Sequence, residues 1–209
     1  MPSRNRIKIY APDTYYHVYN RGVERRLIFK DSDDYAVFLN LLKRYLSGKE
    51  EKDKFGRPYK DLSDAVELLA FCLMPNHFHL FLYQIKSQGM TELLQRVSTA
   101  YVRYFNNKYQ REGPLFQDRF KASFIGNDAY LWHISRYIHL NPNKLARGWR
   151  NYTYSSLPYY LDNRKTAWVK PRRVLELHKE QQLSYNDFMA DWEDYKSTLS
   201  EYSPDLAVN

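Results

Sequence analysis

Between Thr14 and Asn20 the chain alternates sides in a run of β-formers, which predicts a strand, and Asn20-Arg21-Gly22 then turns it. The period becomes helical after Asp31 or Ser32, either of which can cap a helix. Tyr35, Phe38, Leu39, Leu42 and Tyr45 form one stripe that ends near Leu46. Ser47 to Asp64 is a charged loop around Gly56-Arg57-Pro58, and the pattern leaves a short hairpin there open. Leu68 to Leu82 is rich in strand-formers and is interrupted only at Pro75-Asn76. It therefore predicts two tightly joined strands, Glu67 to Pro75 and His77 to Gln84. Met90, Leu93, Leu94, Val97, Tyr101, Tyr104 and Phe105 are spaced for one face of a helix over about 90–109. Gly113 to Phe120 reads as a loop and Lys121 to Ile125 as a strand. A further helix starts at Asn127 or Asp128, and Pro142 ends it at Asn141.

Strand, helix, two strands, helix, strand, helix is an α+β order with antiparallel pairing. It fits a ferredoxin-like antiparallel sheet with helices on one face and the other face open, where a single strand of nucleic acid could lie. Beyond residue 150 the pattern changes. Tyr152 to Tyr160 is aromatic and loop-like, while Arg172 to Leu177 and Ser184 to Leu199 read as short helices. Ser184 and Asp187 form a capping pair, and Phe188, Trp192 and Tyr195 share a face. The expected division is residues 1–150 as the main domain and 151–209 as a small helical extension packed on it.

Candidate chemistry lies in two stretches. In Met74-Pro75-Asn76-His77-Phe78-His79-Leu80, strand alternation sends His77 and His79 to one side and Phe78 to the core. Two neutral imidazoles side by side make half of a metal site, though two partly buried, hydrogen-bonded histidines fit the pattern equally. In Arg136-Tyr137-Ile138-His139-Leu140-Asn141-Pro142, Tyr137 and Asn141 are four apart and share a helix face. A nucleophile and an oxygen ligand would arrive together, although a tyrosine near a helix end is usually a packing residue.

Taken with Tyr16-His17-Val18-Tyr19-Asn20-Arg21-Gly22 and Gly113-Pro114-Leu115-Phe116-Gln117-Asp118-Arg119-Phe120-Lys121, these stretches resemble the HUH (His-hydrophobe-His) single-tyrosine transposases, above all the REP-associated tyrosine transposases. The four pieces stand in the family's order and cover roughly residues 14–160. The resemblance implies His77 and His79 as metal ligands, Asn141 as a third ligand where many relatives carry Gln, and Tyr137 as the nucleophile. It implies transesterification on single-stranded or hairpin DNA through a 5′-phosphotyrosine, with Mg2+ or Mn2+ as cofactor. Imidazoles alone would suggest zinc or another transition metal. Relatives include dimers that donate the tyrosine helix in trans and others that act as monomers, so monomer and homodimer both stay open.

Composition narrows the partner. The chain carries a net charge of +8 and 20 tyrosines. Residues 1–30 hold 7 Lys/Arg against 2 acids and residues 91–150 hold 10 against 4, whereas 31–90 and 151–209 are near balance. Basic side chains interleaved with aromatics suit phosphate contact and base stacking. Arg21, Arg103, Arg119 and Lys121 are the expected DNA contacts, and residues 1–13 read as a basic arm. The single Cys72 lies within an apolar strand and permits no intramolecular disulfide, which is compatible with a cytoplasmic setting. The first ten residues lack the apolar core of a secretory signal, and the longest apolar run, Leu68 to Met74, is too short to span a bilayer. Two other classes remain: a non-catalytic nucleic-acid-binding module on the same fold, and a metallonuclease that uses water and forms no covalent adduct.

Overall fold

A computed structural model describes residues 10–126, 128–145, 148–162, 164, 166–180 and 184–191. Four strands, β1 (Thr14–Arg21), β2 (Val66–Met74), β3 (His77–Gln84) and β4 (Lys121–Ile125), form one antiparallel sheet in the order β2-β3-β1-β4. The hairpin between β2 and β3 turns on Pro75 and Asn76, as predicted. Helices α1 (Ser32–Leu46) and α2 (Gly89–Lys108) cover one face. Asp31 caps α1 by accepting the N–H groups of Asp33 and Asp34. Helix α2 starts where Gly89 lies so close to Ala65 that a Cβ would sit 2.5 Å from its carbonyl oxygen. Phe78, Leu80 and Leu82 of β3 point into this layer and meet Phe38, Leu42, Leu94 and Tyr101. In the charged loop after α1, a single bridge pairs Lys52 with Pro58 and makes a short hairpin.

The α+β, ferredoxin-like expectation holds, but the second face is not open. Helix α3 (Asp128–Leu140) lies across it, with α5 (Arg172–Glu180) and α6 (Tyr185–Ala190) beside it. Leu131, Ile134 and Ile138 of α3 pack there on Leu69, Ala70, Cys72 and Phe81. The reason is in β2: an apolar run with no alternation is a strand that must be buried on both sides.

Residues after 150 also seal the outer edge of β2. The Leu73 N–H donates to Tyr154 O at 2.9 Å, Ser156 N–H to Phe71 O at 2.9 Å, and Lys170 N–H to Leu68 O at 2.7 Å. The predicted loop Tyr152 to Tyr160 is helical from Leu157, as α4 (Leu157–Leu161), because Pro158 in the first turn is preset for a helix. Ser184 caps α6 through the Asp187 N–H, as expected, and the described helix ends at Ala190. Residues 1–9 of the basic arm, the alternative cap Asn127, and Trp192 and Tyr195 lie outside the described residues. At the other end α3 stops at Leu140, one residue before Asn141 and so where Pro142 is expected to end it, and a 3-10 turn, Asn141–Lys144, follows with Pro142 among its first residues.

Candidate active site

The four sequence stretches meet at one end of the sheet. The Gly22 N–H donates to Asn76 O at 2.9 Å, Val23 N–H to Leu115 O at 2.9 Å, and Gln117 N–H to Arg21 O at 2.9 Å. Gly22 must be glycine there, since a Cβ would lie 2.2 Å from Arg26 O. The Pro75 carbonyl accepts from Ile28 and Phe29, which fixes the hairpin that presents His77. Asn20 donates to Asp118 O at 3.0 Å, and the Arg21 guanidinium donates to Gln117, so both anchor the 113–120 loop to β1.

On the α3 side of the sheet, His77 and His79 project together, with ring centroids 5.0 Å apart and planes at 90°. The His77 Nδ1 lies 2.6 Å from Asn76 Oδ1. That oxygen can only accept, so His77 donates from Nδ1 and its Nε2 keeps the lone pair. His79 is fully buried, and its Nε2 has no hydrogen-bond partner among the described residues. Its Nδ1 meets Nε2 of His17, also fully buried, at 2.9 Å, and the two rings are near parallel, with centroids 5.1 Å apart and planes 13° apart. Burial holds both imidazoles neutral: His17 is pushed down to about 3, and His79 falls well below the usual range through burial and then the neighbouring His17 and His77.

Tyr137 comes down on this pair from α3. Its half-buried ring stands edge-on to His79 at 5.5 Å and to His17 at 5.7 Å. The tyrosine thus meets histidines of its own chain. Asn141 follows one turn later, and its Nδ2 donates to the Tyr137 carbonyl at 2.9 Å, leaving Oδ1 as the oxygen donor. No group of three or more His, Cys, Asp or Glu among the described residues is arranged to hold a metal ion. The orphan buried Nε2 of His79 beside the His77 imidazole, with the Asn141 oxygen on the neighbouring helix, is a donor set that fits a divalent cation.

Of the expected DNA contacts, Arg21 pairs in register with His77 and shares its face, and Lys121 pairs with Tyr19 on that face, Nζ 5.9 Å from the Tyr19 ring. Arg119 is exposed in the adjoining loop. Arg103 lies apart from these: α2 packs on the opposite face, and Arg103 lines a groove there with Tyr45 and Arg96. Sequence reasoning missed His17 as a site residue. Its signal was alternation with Tyr19 inside a stretch already singled out, but its neighbour across the strands depends on register.

The residues on either side of Tyr137 are anchored. Arg136 is fully buried, donates to the carbonyls of Phe188 and Asp191 at 3.0 and 3.2 Å, and stacks on Phe188 at 4.1 Å. His139 sits between Tyr185 Oη and Ser156 Oγ, each at 2.7 Å. Burial pushes His139 down to about 3 from its ordinary 6.5. As pH falls from 6.5 towards 3 the unfolded chain takes up a proton that the folded chain refuses, so stability declines. Between pH 7 and pH 5 this one residue should cost roughly 2 kcal/mol. Urea unfolding of wild type and His139→Gln at both pH values checks this, and equal losses in the two proteins would refute it.

A family model described as "Transposase IS200 like" matches residues 11–141. The structure of a REP-associated tyrosine transposase bound to a REP hairpin superposes with a TM-score of 0.54 at 15% identity, covering 80% of this chain and 92% of that one. A candidate transposase from Deinococcus radiodurans R1 follows with a TM-score of 0.39 at 14% identity, over 66% of this chain and 95% of that one. No curated protein matches the chain.

Proposed function

From the premise that this chain belongs to the IS200-like transposase family, we propose that it cuts and rejoins single-stranded DNA beside hairpins, with Tyr137 as the attacking residue. The observation that carries this reading is the Tyr137 ring held edge-on, at 5.5 Å, over His79, whose buried Nε2 has no partner among the described residues. His77, His79 and Asn141 are the proposed ligands of Mg2+ or Mn2+. A bound ion would polarise a non-bridging oxygen of the scissile phosphate. The Tyr137 hydroxyl loses its proton and its oxygen bonds to phosphorus. The P–O3′ bond breaks, the 3′ oxygen takes a proton, and the 5′ phosphate stays on the enzyme until a 3′-hydroxyl reverses the step. The ring contacts of Tyr137 with His79 and His17 of its own chain support a reaction carried out within one copy. Residues 1–150 are the proposed catalytic unit and 151–209 the proposed extension, from which Phe188, Asp191, Tyr185 and Ser156 hold the tyrosine helix through Arg136 and His139.

Labelled single-stranded DNA containing a hairpin, incubated with the protein and Mn2+, should give a slow band that survives denaturing electrophoresis. Cleaved DNA without such a band would instead support a water-using metallonuclease.

DNA binding should be strongly salt-dependent, through Arg21, Arg119 and Lys121 on or beside the histidine face. Each alanine substitution should weaken binding and lower the slope of log affinity against log salt by about 0.7. Arg103→Ala, on the far face, should change neither. If the three site-side variants kept the wild-type slope, the binding surface would lie elsewhere, with Arg172 and Arg173 the next to examine.

A further inference from the structure

We infer that His17 is a positioning residue of this site: it accepts the Nδ1–H of His79 and so keeps the His79 Nε2 lone pair available to a divalent cation. The inference rests on the reading of His77 and His79 as metal ligands and deepens it.

A neutral imidazole has one N–H to give. His17 Nε2 and His79 Nδ1 lie 2.9 Å apart, so one of the two rings donates to the other. If His17 donated, His79 would carry its proton on Nε2 and could not ligate. If His79 donates, its Nε2 is a bare lone pair, buried beside His77. The bond itself allows both directions, and the neighbouring ligand indicates which one serves the site. Asn76 Oδ1 can only accept, so His77 donates from Nδ1 and presents Nε2. His17 completes the same arrangement for His79. Each histidine of the pair then has its Nδ1 held by a partner, and Nε2 is the nitrogen that would ligate a cation. Such outer partners fix the ring and raise the basicity of the ligating nitrogen.

The placement of His17 suits this role. It lies on β1, between β3 and β4, and its ring contacts those of Tyr19 and His79, with centroids 5.1 Å away in each case. The edge of Tyr137 rests on the same ring. Full burial keeps water from competing for the His79 Nδ1–H. One side chain thereby touches both the ligand and the attacking residue.

The test is made on the whole chain, by Mn2+ titration and by long-range 1H–15N spectra of 15N-histidine protein saturated with Mg2+. His79 should be protonated at Nδ1. His17→Leu, which fills the space but accepts no hydrogen bond, should weaken Mn2+ binding by about tenfold to a hundredfold. His17→Gln, whose Oε1 can accept the same proton, should restore most of it. A His79 protonated at Nε2 in the Mg2+-bound wild type overturns the inference even if neither variant folds. Wild-type Mn2+ affinity in His17→Leu, with affinity lost in His79→Ala, overturns it and leaves the metal reading standing. Affinity unchanged in both variants overturns the metal reading and the inference together.

Discussion

Tyr137→Phe is expected to lower DNA cleavage by more than about a thousandfold, the scale on which loss of a covalent nucleophile falls. The ring stays, so its edge contacts with His17 and His79 stay too. Only one hydroxyl is lost, and stability should move by no more than about 1 kcal/mol. Affinity for the hairpin DNA should remain near wild type, because the proposed phosphate contacts are Arg21, Arg119 and Lys121. Unchanged binding with lost cleavage and lost adduct separates the nucleophile from a packing residue. Undiminished cleavage in the variant would move the chemistry to another group.

The second large effect concerns the metal. His77→Ala should lose Mn2+-dependent cleavage by at least about a hundredfold, more than loss of an outer partner costs. His77 gives a cleaner test than His79, because it is half-buried at the start of β3 and leaves little cavity. His79 is fully enclosed, and its truncation also removes the hydrogen-bonding partner of His17. Circular dichroism should stay unchanged in His77→Ala. A variant of either histidine that cleaved normally at limiting Mn2+ would end the paired-ligand reading.

Much of the fold and half of the candidate site are legible in the residue pattern alone. The alternation of His77, Phe78 and His79 is local, and a strand of any register sends the two histidines one way. The Asp31 cap, the Pro75-Asn76 turn and the α2 stripe are local as well, and all stand where the pattern puts them. What depends on register is not legible. His17 reaches His79 diagonally across β1 and β3, and no spacing in the chain encodes that. The second covered face escapes the pattern too, although the unbroken apolar run of β2 carries its signal. Arg136 and His139 read as polar positions of a helix. They are buried only because Phe188, Tyr185 and Ser156 arrive from far along the chain. The separation of Arg103 from the histidines is not legible for the matching reason: a basic residue on a helix does not say which face of the sheet the helix covers.

The central claim is that Tyr137 attacks DNA on its own chain's histidine face. It is tested most directly by trapping the adduct with Mn2+ and single-stranded hairpin DNA, digesting both components, and locating the residual nucleotide by peptide mass spectrometry. The expected result is a 5′-phosphonucleotide on the peptide that carries Tyr137, absent from Tyr137→Phe and from reactions without metal. A nucleotide on any other tyrosine, Tyr130 being the nearest in sequence on the same helix, or cleaved DNA with no modified peptide, would contradict it.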